Sequence, residues 1–188
     1  MPTLHIISTS PRPHSNSLRI AHAYAEIAAT LGLDTEIIDL HTLPADTWTA
    51  CISGNSSQSP DFQNFIHNHI KPIRYAIWIL PEYNGSIPGI VKVLIDCSDI
   101  KSCFIHTHNL LVGVATGRAG NVRGLDHFLT ILQHLQAQVF WDKLPISQVH
   151  TLLDNDTLQH QPTRDRIEVQ LRAFVQSLPL EVQPIQSE

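Results

Sequence analysis

Two runs, residues 75–80 (Tyr-Ala-Ile-Trp-Ile-Leu) and 110–115 (Leu-Leu-Val-Gly-Val-Ala), show no alternation of polar and apolar side chains. A strand with one face in water alternates; a strand buried on both faces does not, and such strands sit centrally in parallel sheets. Parallel neighbours need a crossover, usually a helix. The remaining chain supplies both kinds of element. Residues 3–8 and 34–39 read as strands, and 137–141 as a fifth. Helical spacing lies between them. It is carried by Ile20, Tyr24, Ile27 and Leu31, and by Phe62, Phe65, Ile66 and Ile70 after Ser59-Pro60-Asp61, where Ser59 is the expected cap. It continues over about 88–99, then with Val122, Leu125, Leu129 and Leu132, and finally with Ile167, Leu171, Phe174 and Leu178. Residues 40–60, rich in Ser, Thr, Pro and Asn, read as a long surface loop, and 179–188 as a loose tail. The βαβαβαβαβα order defines an α/β chain with helices on both faces of a parallel sheet. No repeat or linker divides residues 1–188, so a single domain is expected.

Composition narrows the function. Apolar residues make up 43% and charged residues 15% of 188, which suits a folded domain with one good core. Twelve Lys plus Arg against 17 Asp plus Glu give a charge of −5, the wrong sign for a general nucleic-acid binder. No apolar stretch approaches the length of a membrane span, and the first residues lack a secretory pattern. Three cysteines are too few for a disulfide scaffold, so a reducing cytoplasm is the expectation. Cys97 and Cys103 read as buried or partly buried thiols, with no redox pair implied.

In a sheet of this kind ligands bind at the carboxyl ends of the strands. The loops after the first, third and fourth strands are therefore the candidates. The first, 8–17, is dense in hydroxyls and runs into a helix N-terminus, where free N–H groups and the helix dipole favour an anion. Phosphate is the implied ligand, with Arg12 able to add a charge-assisted bond. Simple helix capping by Ser15, Asn16 or Ser17 is the plain alternative. The second, 81–89, is a turn with an aromatic ring, an amide and a carboxylate, and Ser86 is an expected cap for the helix that follows. The third, 115–121, has two glycines that suit either a ligand or an ordinary turn. Neither a G-x-x-x-x-G-K-[ST] loop nor a G-x-G-x-x-G fingerprint occurs.

Taken in order, these three segments resemble the NADPH-dependent FMN reductase family of flavodoxin-like quinone, chromate and azo-dye reductases. Residues 10–17 resemble its phosphate loop. Pro81-Glu82-Tyr83-Asn84 with Ser86, Pro88-Gly89, Lys92 and Asp96 resembles its most specific signature; Gly117-Arg118 with Gly120 and Arg123 resembles the loop at the far edge of the flavin. The resemblance implies a three-layer sandwich with a five-stranded parallel sheet in the order 2-1-3-4-5. It implies that Ser10, Arg12, Ser15, Asn16 and Ser17 hold the FMN phosphate. Pro81, Glu82, Tyr83 and Asn84 would line the isoalloxazine and ribityl chain, and Thr116, Gly117 and Arg118 the pyrimidine end. NADPH or NADH would deliver a hydride to FMN N5, with no catalytic side chain, and a small-molecule acceptor would take it on in ping-pong fashion. A homodimer or homotetramer is implied, with residues 40–60 walling a neighbour's flavin. Thr9, Ala115, Thr116, Asn121, Val93 and Cys97 depart from the family pattern.

Two other readings fit the same fold: a flavodoxin-like electron carrier, and a flavin-free regulatory or interaction protein. Steady-state NAD(P)H oxidation separates enzyme from carrier, and rejection of FMN marks the third. Twelve histidines raise the question of a metal, but His67-x-His69 and His106-x-His108 lack ligand spacing, so no metal site is expected.

Overall fold

The computed structural model describes residues 3–54 and 59–179. In chain order the elements are β1 Leu4–Ser8, α1 Asn16–Thr30, β2 Thr35–Asp39, α2 Thr47–Ser53 and α3 Pro60–Phe65, the last extended by a π turn over Ile66–Ile70. There follow β3 Tyr75–Pro81, α4 Gly89–Asp96, α5 Ile100–Cys103, β4 His108–Val114 and α6 Val122–His134. The chain then forms β5 Gln138–Val139, β6 Leu144–Ile146, β7 Leu153–Asp154, β8 Thr157–Leu158 and α7 Gln161–Ser177. Residues 180–188, nearly all of the expected tail, lie outside the described residues.

The main sheet is parallel, in the order β2-β1-β3-β4-β5, as the flavodoxin-like fold requires. Alternate residues of β3 feed opposite cores. Ala76, Trp78 and Leu80 pack with Phe62, Val91, Phe128 and Leu132. Ile77 and Ile79 pack with Ile20, Tyr24, Leu171 and Phe174 on the other face. Both faces of the strand are dry, which is why its sequence does not alternate. The one polar cluster at the start of β4 is satisfied: Asn109 accepts from the Trp78 indole at 2.8 Å and donates to the carbonyls of Thr107 and Gln138.

Five local expectations need correction. The fifth strand is shorter than 137–141, and its lane is shared. β5 pairs with the start of β4 and β6 with its end, so the five expected strands become six. Between them the chain leaves the sheet, and Phe140 packs edge-on against Phe174 at 5.6 Å. Pro145 in the middle of β6 hid that strand from a sequence reading, because proline lacks a ladder donor and is confined to edges. Residues 40–60 are not all loop: Leu40–Thr42 is a 3-10 turn and α2 follows. Trp48 and Ile52 of α2 point to solvent, so the helix has no inward apolar stripe to announce it. Ser59 stands at the N-cap of α3, followed by Pro60, but its side chain makes no cap bond to the helix. Its hydroxyl donates to the Asp46 carbonyl, while the Asp46 carboxylate accepts from the Asp61 and Phe62 N–H groups, each at 3.2 Å. Ser86 does not cap α4, whose N-cap is Pro88; its hydroxyl pairs with His127 Nδ1 at 2.9 Å. On α6, Phe128 takes the buried place assigned to Val122, which is exposed at the first turn.

Two expected outcomes follow from this packing. Asp46→Ala removes the acceptor for two helix-terminal donors and is expected to lower stability by about 1 kcal/mol in urea denaturation. His5 is buried in β1, and burial pushes its imidazole below the usual 6.5, against the opposing pull of Glu36 and a backbone bond at Tyr75. The folded protein therefore holds His5 neutral while the unfolded chain takes up a proton below 6.5. Stability is full above that pH and falls as the pH drops beneath it. The urea midpoint should decrease between pH 7 and 5, and His5→Gln should flatten that slope.

Candidate functional site

The loop after β1 is shaped by bonds to its neighbours. Thr9 is fully buried; its N–H and hydroxyl both donate to the Ile79 carbonyl, at 3.2 and 2.9 Å. This departure from the family pattern is a tie between β1 and β3, facing away from the loop. Ser10, 2% exposed, accepts the Arg12 N–H at 3.2 Å. Ser15 is the N-cap of α1 and accepts from the Leu18 N–H at 3.1 Å. The N–H groups of Asn16 and Ser17 then have no intrahelical partner. No acidic residue stands in the first turn of this 15-residue helix to neutralise its positive end. The Ser17 hydroxyl, on a residue 1% exposed, has no partner at all. A buried hydroxyl left without a bond costs about 1–3 kcal/mol, so a ligand oxygen is its natural complement.

Across the loop stands the turn after β3. Tyr83 and Ser86 exchange both backbone bonds, at 3.0 and 3.1 Å, and Asn84 and Gly85 have φ of +52° and +77°. This is a type I′ turn, for which Asn-Gly is the preferred pair because both central residues need positive φ. The Glu82 N–H donates to the Val114 carbonyl at 2.9 Å and pins the turn to β4. The Arg12 guanidinium lies 5.3 Å from the Tyr83 ring centroid, a cation–π distance. The Tyr83 hydroxyl is buried without a partner.

These segments enclose a cavity of about 330 Å³, within the range of small-ligand sites. Among the residues expected at the site, Ser10, Arg12, Ser15, Asn16, Ser17, Pro81, Glu82, Tyr83 and Thr116 line it. Asn84, Gly117 and Arg118 do not. Asn84 sits at the exposed tip of the turn, the Gly117 carbonyl accepts from the Gln148 N–H, and the Arg118 carbonyl accepts from the Ser147 hydroxyl. The lining also takes in Pro13, His14 and Ala115, which lie within the candidate loops, and Arg19, Val114 and Val149, which lie outside them. Arg19 was legible as a basic residue in the first turn of a helix. It bonds Asn16 at 2.8 Å and Asp156 at 2.7 Å. Val149 was not legible, since it arrives on a 3-10 turn far along the chain.

Gly120 of the third loop and Gly113 of β4 serve packing, whereas a Cβ on Gly117 would meet nothing within 4 Å. A Cβ on Gly113 would stand 2.1 Å from the Gly120 carbonyl oxygen, and one on Gly120 would stand 2.7 Å from Pro145 Cβ. They let the loop after β4 cross β6. Asn121 caps α6 with φ +64°, accepting from the Gly124 N–H and donating to the Leu80 carbonyl at 2.9 Å. Its place in the pattern is thus filled by a residue that tolerates positive φ and ties β3 to α6.

A more apolar cavity of about 490 Å³ lies between α4 and α6, lined by Ile87, Pro88, Lys92, His127 and Ile131 among others. Its neighbour of about 520 Å³ shares Lys92, Thr130 and Ile131 with it. Both lack the convergent hydroxyls of the first cavity. Among the described residues no group of three or more His, Cys, Asp or Glu is placed to hold a metal, and no helix is long and apolar enough to cross a membrane.

A 2-1-3-4-5 parallel sheet with a hydroxyl-lined helix N-terminus at its carboxyl edge defines a flavodoxin-like protein with an anion-ready site. Residues 2–151 match the family model of NADPH-dependent FMN reductases, and the chain belongs to that family. It is an NAD(P)H-dependent oxidoreductase, with FMN as its cofactor. No curated protein sequence matches it. Among solved structures it is similar to the flavoenzyme NAD(P)H:(acceptor) oxidoreductase FerB from Paracoccus denitrificans. The TM-score is 0.74 and the identity 20%, over 94% of this chain and 96% of that one. It is also similar to an FMN-dependent NADH-azoreductase from Bacillus anthracis in complex with FMN, with a TM-score of 0.60 and 16% identity over 92% and 100% of the two chains. These likenesses concern the fold.

Because the Ser17 hydroxyl is bonded to nothing in the protein, Ser17→Ala should leave the FMN-free protein as stable as before, or more stable by up to about 1 kcal/mol. Thermal melting of the stripped protein checks this, and a clear loss of stability would show that the hydroxyl has a structural partner.

Proposed function

We propose that the whole chain acts as one FMN-binding domain, and that Ser10, Arg12, Ser15, Asn16 and Ser17 hold the phosphate of the cofactor. The observation that carries this reading is the partnerless, buried Ser17 hydroxyl inside a polar cavity at the start of α1. Pro81, Glu82 and Tyr83, with Asn84 next to them in the chain, line the isoalloxazine and ribityl chain. Thr116, Gly117 and Arg118 approach the pyrimidine end, where loop N–H donors offset negative charge.

FMN held there supplies two-electron hydride chemistry, from NADPH or NADH to a quinone, azo, metal-oxyanion or flavin acceptor in a ping-pong sequence. The protein's part is to bind, orient and shield. The unpaired N–H groups of Asn16 and Ser17 meet the phosphate, and Arg12 adds charge. The type I′ turn fixes Tyr83 as a rigid platform, and the Glu82 backbone bond to β4 keeps that platform in register. No side chain needs to move a proton for this role.

We read the active form as a cytoplasmic homodimer or homotetramer. Support comes from the apolar groove between α4 and α6 and from the exposed Trp48 and Ile52 of α2. A large covered apolar surface is what a subunit contact needs.

The test is direct. The purified protein should take up FMN, show its visible bands, and oxidise NAD(P)H when a quinone is added. The absence of both uptake and turnover would refute the reading; uptake without turnover would favour an electron carrier. Asn16→Glu places a carboxylate where the phosphate should sit. An acidic residue in the first helical turn is itself favourable, so the fold should persist. FMN affinity is expected to fall by roughly 100-fold, equivalent to about 2.7 kcal/mol, in a fluorescence titration. Undiminished affinity would sink the phosphate assignment.

A further inference from the structure

We propose that Arg12 selects phosphorylated flavin over unphosphorylated flavin: its stack on Tyr83 must be displaced by any isoalloxazine that enters, and only a flavin with a phosphate gives the displaced guanidinium a new partner. The inference rests on the FMN reading of this cavity and concerns how the same cavity chooses among flavins.

The stack joins two loops. Arg12 belongs to the loop after β1 and Tyr83 to the turn after β3. The guanidinium carbon lies 5.3 Å from the ring centroid, and both residues line the cavity. Arginine suits this arrangement, because its planar and weakly hydrated cation lies on aromatic faces. On the reading above, Tyr83 is the platform for the isoalloxazine, so the guanidinium and the flavin ring compete for one aromatic side chain.

Of the two stacked groups, the arginine is the one that yields. Tyr83 is held by its turn: its N–H and carbonyl bond Ser86 at 3.0 and 3.1 Å, and its ring ends in a buried hydroxyl. Arg12 is exposed, and among the described residues its side chain makes no ion pair or hydrogen bond. Its backbone, by contrast, is restrained. Pro11 and Pro13 fix φ on either side of it. The Arg12 N–H donates to the Ser10 hydroxyl at 3.2 Å, and the Pro11 carbonyl accepts from His41 Nδ1 at 3.0 Å. Displacement is therefore a side-chain movement and leaves the loop in place.

What the displaced guanidinium gains depends on the ligand. The same cavity contains Ser15, Asn16 and Ser17 at the N-terminus of α1, the place read above as the phosphate site. A guanidinium that leaves the ring forms charge-assisted bonds to a phosphate held there. Riboflavin has the same ring system and no phosphate, so it breaks the stack and offers nothing in return. An obstacle to the wrong ligand adds to specificity as an attraction to the right one does. Arg12 supplies both.

The test is a pair of titrations. The flavin-stripped full chain is titrated with FMN and, separately, with riboflavin, following the quenching of flavin fluorescence. Arg12→Ala should bind FMN roughly tenfold more weakly, through loss of a charge-assisted bond. It should bind riboflavin about threefold more tightly, through loss of the stack. Arg12→Lys keeps the charge but not the flat cation. It should hold FMN better than Arg12→Ala does and gain on riboflavin in the same way. Opposite signs for the two ligands are the signature, since an arginine that only attracts phosphate leaves riboflavin unchanged. A riboflavin affinity that Arg12→Ala leaves unchanged or lowers would overturn the proposal and leave the FMN reading in place. Failure of the wild-type chain to bind either flavin would instead remove the FMN reading, and the selection by Arg12 with it.

Discussion

β3 and β4 must be dry on both faces, and the rest of the molecule follows from how that is achieved. One strand cannot be covered on two sides by its own neighbours. Helices are needed above and below, and parallel crossovers provide them. The result is two cores that share the sheet, with Trp78 feeding one and Ile77 and Ile79 the other. Polar chemistry is thereby driven to the ends of the strands. At the carboxyl end it meets the N-terminus of α1, where backbone donors are unpaired by geometry. Asn109, the one buried polar residue at the start of β4, bonds four groups and stays structural.

The site keeps stability in reserve. The Ser17 and Tyr83 hydroxyls are buried without partners beside the same cavity. Such groups weaken an unliganded protein and strengthen a liganded one, because the missing bond is made only when the ligand arrives. An orphaned atom is not a marker by itself: His5 Nδ1 and Thr47 Oγ1 are also unpartnered and lie away from the cavity. What distinguishes Ser17 is its position at an uncompensated helix terminus in an enclosure of suitable size.

The departures from the family pattern acquire physical roles. Thr9 ties β1 to β3, and Asn121 caps α6 while bonding the end of β3. Ala115 and Thr116 line the cavity without a bulky side chain. The glycines at 113 and 120 answer to a backbone crossing, which no single loop motif can reveal. Motif reading brought out the hydroxyl-rich loop after β1 and the Tyr83 turn, which line one cavity, because each is continuous in sequence. It misassigned the side-chain bonds of Ser59 and Ser86 because their partners, Asp46 and His127, come from elsewhere in the chain.

The sequence by itself determined the layered α/β order, the strands with two dry faces, and the two loops that carry hydroxyls and the aromatic turn. Those features are local: a hydrophobic period, a proline before a helix and an Asn-Gly pair each act within a few residues. Only the tertiary structure decided that the fifth lane is split around Phe140 and that Val149 joins the cavity. These depend on where distant segments land once both faces of the sheet are covered, and side-chain periodicity carries no record of that.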